Sequence, residues 1–114
     1  MKKSQFLVLL FFSALVITVS CKDKDDDNDF DCTGITFSND IAPIIESKCA
    51  TSACHGAGSI VGDYTTYAGL EEKAQNGIME REVITDRTMP KSGTLTQEEL
   101  DKFQCWFDDG APNN

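Results

Sequence analysis

Apolar residues fall into a few stretches, each with its own spacing. The run Phe6 to Val19 is predominantly apolar. Ile41, Ile44, Ile45 and Lys48 then stand at i, i+3, i+4 and i+7, the spacing of one helix face. Ser38, Asn39 and Asp40 are the N-cap candidates before them. Pro43 is tolerable there because the first helical turn has no amide partner to lose. Thr65 or Thr66 can cap a second helix through Leu70 to Lys73, which stops at Asn76-Gly77. From Ile78 to Ser92 no period is sustained and Pro90 excludes an ordinary helix, so this stretch reads as a loop with a short helical or extended piece. The last helix is the best marked. Thr96 and Glu99 make a capping box, Leu95 and Leu100 a hydrophobic staple, and Gly110 and Pro112 end it. At about 100° per residue, Leu100, Phe103, Trp106 and Phe107 share one face, while Cys105 lies off it.

The first stretch differs in kind. It spans 14 residues after Lys2 and Lys3, where a membrane-crossing helix needs about 20. That is the form of a signal-peptide core, giving a signal peptide over 1–20. Thr18-Val19-Ser20-Cys21 resembles the lipobox of bacterial lipoproteins, which implies lipidation of Cys21 and a cell-envelope location, on the periplasmic face or at the cell surface. A plain signal peptide that leaves Cys21 as a free thiol is the other reading. Lys22 to Asp29 has no apolar residue, so 21–31 reads as a solvated tether, either a plain spacer or a surface-export signal. Residues 32–114 form the single domain.

Charge narrows the partners. The chain has 19 acidic and 10 basic side chains, and loss of Lys2 and Lys3 takes its formal charge from −9 to −11. Nucleic acid and electrostatic docking on anionic lipid are both disfavoured. Ile, Leu, Val, Met, Phe, Tyr and Trp supply only 20 of the 78 residues from Ile35 to Pro112. So thin a core needs a disulfide, a metal or a cofactor as staple.

The chemistry gathers at Cys49-Ala50-Thr51-Ser52-Ala53-Cys54-His55. Two cysteines with a His directly after the second follow the haem-attachment pattern, here with four residues between the thiols rather than two. Two thiols add to two vinyl groups of one macrocycle, and the following His ligates the iron. Small residues between the cysteines can bulge outward while the end points keep their places. Met89-Pro90 lies further along, and Met is a common second axial ligand.

From Phe37 to Pro112 the chain resembles the single-haem cytochrome c-like domain of small bacterial lipoproteins. The resemblance rests on Asp40-Ile41-Ala42-Pro43-Ile44, Cys49 to His55, Thr66-Tyr67-Ala68-Gly69, Met89-Pro90 and Trp106 to Ala111. It implies an all-α, cytochrome c-like fold of three to four short helices around one covalent haem c. Cys49 and Cys54 would carry the thioethers, and His55 and Met89 would be the axial ligands. The activity implied is single-electron transfer rather than enzyme catalysis, with a redox partner that presents a basic patch. Met79 reads as core filler. With Cys21 lipidated and Cys49 and Cys54 on haem, Cys32 and Cys105 remain to pair. Two departures stand out: the wider Cys spacing, and the lack of a Pro soon after His55 whose carbonyl would orient the imidazole. The alternatives are a disulfide-stabilised surface binding module without haem, an open-site haem peroxidase or sensor, a zinc site, and a Cys-His nucleophile.

Overall fold

The computed structural model describes residues 30–114. The signal peptide at 1–20, Cys21 and most of the tether lie outside the described residues. The described chain is all-α, with no strand. Helix α1 spans Ala42–Lys48 and is entered through a wide π-type turn at Phe37–Ile41. Helix α2 spans Tyr67–Gln75. The single turn α3, Ile78–Glu80, runs on into a second wide turn at Arg81–Thr85. Helix α4 spans Gln97–Asp108.

The first helical unit starts earlier than its spacing predicts. Its cap is Thr36, whose Oγ1 accepts from the Asn39 amide at 3.2 Å while Asp40 Oδ2 accepts from the Thr36 amide at 3.0 Å. Asp40 therefore works from inside the first turn instead of preceding the helix, and the reciprocal cap spans one residue more than a capping box because the turn is wide. Between Ile78 and Ser92 the structure places a continuous helical stretch over 78–85 where the sequence offers no period. Two turns of different radius cannot hold one 3.6-residue stripe. Gly77, at φ +79°, makes the sharp entry into it.

Helix α4 has the capping box in both directions: the Glu99 amide donates to Thr96 Oγ1 and the Thr96 amide to Glu99 Oε2. Its buried face carries Leu100, Phe103, Trp106 and Phe107. Cys105, on the flank of that face, is buried as well. The reason is covalent: Cys105 forms a disulfide with Cys32, the Cα atoms 5.4 Å apart, and the strap around Cys32 covers that flank of the helix.

The core gathers Ile41, Ile45, Leu70, Phe103 and Trp106, all nearly inaccessible. Phe37 lies between Tyr67 and Trp106, with ring centroids 5.0 and 5.6 Å away. The C-terminal segment laces these elements together. Tyr67 Oη donates to the Ala111 carbonyl at 2.8 Å, and Trp106 Nε1 to the Pro112 carbonyl at 2.9 Å. Asn114 accepts from the Phe37 amide through its side chain and from the Ser38 amide through its carbonyl. Gly69 is the point where α2 meets the backbone of Asp63; a Cβ there would collide with the Asp63 carbonyl. The segment leading to Tyr64 is thereby pressed against α2.

Candidate functional site

The segment from Cys49 to Tyr64 is shaped by its own backbone. The end of α1 delivers Cys49, whose amide donates to the Ile45 carbonyl at 2.8 Å. The chain then bulges, with Thr51, Ser52 and Ala53 exposed. It returns when the Cys54 amide reaches the Thr51 carbonyl at 2.9 Å and the His55 amide the Cys49 carbonyl at 3.0 Å. Gly56 permits this closure, since a Cβ there would lie 2.8 Å from the Thr51 carbonyl oxygen. The four intervening residues thus leave Cys49 and Cys54–His55 adjacent.

His55 is fixed on two sides. Its Nδ1 lies 3.0 Å from the Gly62 carbonyl oxygen. A carbonyl only accepts, so Nδ1 holds a proton, and in the neutral imidazole the lone pair lies on Nε2. Tyr64 stacks on the imidazole at 4.0 Å and 8°. Gly62, at φ +117°, takes a backbone conformation that suits glycine, and a Cβ there would press on the Tyr64 ring at 2.9 Å. Sequence reasoning missed both partners. The orienting carbonyl belongs to a backbone, and no side-chain pattern marks it.

A cavity of about 440 Å³ opens beside this segment. Cys49, Cys54 and His55 line it, together with Met79 and Val83 from the 78–85 stretch, Phe103 from α4, and Met89 and Pro90 from the following loop. Its size falls in the ordinary range for small-molecule sites. Met89 is held by its amide, which donates to the Glu82 carbonyl at 3.2 Å, beside the Thr88 amide on the same oxygen at 2.9 Å. Met79 also lines the cavity but is buried in the core, whereas Met89 is only partly buried. Lys48 at the rim is tied to Glu99 at 2.6 Å and to the Thr94 carbonyl at 3.1 Å.

Burial pushes the Cys49 thiol up to about 11, and the neighbouring Cys54 raises it further than Lys48 lowers it. An activated nucleophilic cysteine needs the opposite shift. Tyr64 is also raised, first by burial and then by the Cys49 charge.

One expectation is corrected. Among the described residues, no three or more His, Cys, Asp and Glu side chains gather where they could hold a metal ion. The described residues thus build no metal site from such side chains alone, so the metal-binding expectation is corrected and the zinc reading of Cys49, Cys54 and His55 falls with it. What the cysteines do show is the Cys32–Cys105 disulfide, with Cys49 and Cys54 as free thiols.

No family model, curated protein or solved structure matches the chain. Among the described residues, no helix is long and apolar enough to cross a membrane.

Proposed function

We propose that this chain is a c-type cytochrome, transferring single electrons through one covalent haem c in the cavity described above. One observation carries the reading: two thiols, an adjacent imidazole with a free lone pair, and a thioether from a separate loop all line one apolar cavity. This reading needs no cluster of metal-binding side chains, because a macrocycle holds its own iron and asks the chain only for axial groups. Cys49 and Cys54 would anchor the group. His55, aligned by the Gly62 carbonyl and the Tyr64 ring, and Met89, from the loop across the cavity lining, would ligate its iron. When bound, such a group supplies Fe(III)/Fe(II) cycling. The chain's part is to fix the axial groups, keep water from the apolar walls and leave no position open for substrate. The cytochrome c-like fold, the lipid anchor at Cys21, the envelope location and the partner with a basic patch belong to the same proposal. An acidic surface favours such a partner by speeding encounter.

The disulfide, together with the lack of a side-chain metal group among the described residues, favours a second reading. In it the chain is a disulfide-stabilised binding module whose cavity takes an apolar ligand without haem. The full chain is made in a host with cytochrome c maturation, denatured, and its visible spectrum recorded. Haem absorption that stays with the chain is the result expected. Its loss on denaturation, with Cys49 and Cys54 still alkylatable, hands the function to the binding module.

A further inference from the structure

The cavity carries the opposite charge from the rest of the domain. Residues 30–114 hold six Lys and Arg side chains against 14 Asp and Glu. Three of those six cations, Lys48, Lys73 and Lys91, line this one cavity, and Glu82 is the sole carboxylate there. Two of these four groups are already engaged. Lys48 pairs with Glu99 at 2.6 Å, and Glu82 lies 3.5 Å from Arg81 and accepts from the Thr88 hydroxyl. Lys73 and Lys91 have no carboxylate within ion-pair distance among the described residues. Lys73 comes from α2 and Lys91 from the loop after Met89, so they reach the cavity from separate elements.

Lys91 acts on Glu82 only from beyond ion-pair distance, and two cations without a direct ion pair around apolar walls, in a strongly acidic domain, suit an apolar ligand that bears anionic groups at its edge. We infer that Lys73 and Lys91 receive the carboxylates of the cavity's ligand. On the reading proposed above, on which this inference rests, those are the two propionate groups of haem. An ammonium partner offsets the cost of holding a carboxylate beside apolar surface. It also sets which edge of the macrocycle faces outward. Once both carboxylates are in place, the positive character of the cavity is cancelled.

The test uses the full, haem-loaded chain and a zero-length carbodiimide, which joins a carboxylate to an amine only where the two are in contact. The expected product is the haem-bearing peptide of Cys49 to His55 cross-linked to a peptide containing Lys73 or Lys91, identified by mass spectrometry. The K73Q/K91Q chain should lose that product. It should also show a lower midpoint potential than K73R/K91R, because removing cations beside haem favours the ferric state. A haem peptide that joins neither lysine, or that cross-links equally in K73Q/K91Q, overturns the assignment while leaving the cytochrome reading intact. A chain that retains no haem after denaturation overturns both.

Discussion

A thiol placed as Cys49 is placed is slow to ionise. Its value of about 11 is about two units above an ordinary cysteine, which at pH 8 means roughly 100-fold less thiolate. In chain made without haem, iodoacetamide should therefore modify Cys49 about 100-fold more slowly than a model thiol at pH 8, read by peptide mass spectrometry, and the rate should keep rising to pH 10. A plateau by pH 9 would contradict the burial argument. The two methionines separate at the same scale. On the cytochrome reading, Met89→Ala opens the iron to carbon monoxide while fold stability changes little. Met79→Ala leaves the iron closed but costs about 2–5 kcal/mol, because Met79 is a buried core residue. Carbon monoxide binding to both variants, or only to Met79→Ala, would reassign the ligand. Residues whose chemistry resides in a side chain were legible in the sequence: Cys49, Cys54 and His55 stand out by type and spacing. The Gly62 carbonyl and the Tyr64 ring were not, because one is backbone and the other belongs to no period.

Among the elements, α4 was legible almost to its caps, since Thr96 and Glu99 state the capping box in side chains. The wide turns at Phe37–Ile41 and Arg81–Thr85 were not, because π-type turns break the helical stripe on which sequence reading depends. Thr36 capping Asn39, with Asp40 capping back, went unseen for the same reason. Glu99 does more than cap. Burial alone would raise its carboxyl, but bonds from Lys48 and the Thr96 amide, with the Lys48 charge, outweigh this and hold it below the usual carboxylate range. The sign follows. Glu99 is depressed in the folded chain, so its contribution is complete above the unfolded value of about 4.3 and is lost as pH falls through the lower folded value. Glu99→Ala should cost about 1–2 kcal/mol at neutral pH, from the lost cap and ion pair together. It should also remove part of the fall in melting temperature between pH 5 and pH 3. Equal acid sensitivity in wild type and variant would place the titrating group elsewhere.

For the molecule as a whole, the thin core is tied by the disulfide and by the C-terminal lacing of Tyr67, Trp106 and Asn114. The bridge spans 73 residues, so Cys32→Ser with Cys105→Ser should lower stability by about 4 kcal/mol in the chain-entropy account, measured by urea unfolding. A loss below about 1 kcal/mol would mean that the lacing alone closes the domain. The same bridge makes the chain between Cys32 and Cys105 a covalent ring, and the Cys49–His55 segment sits inside it. The ring's most accessible apolar point is Ile60, fully exposed in the loop beyond His55. A protease that cuts there opens the ring without releasing a fragment. On a non-reducing gel the nicked protein should run as one band. On a reducing gel it should separate into two, and any cofactor bound to Cys49 and Cys54 should travel with the N-terminal piece alone.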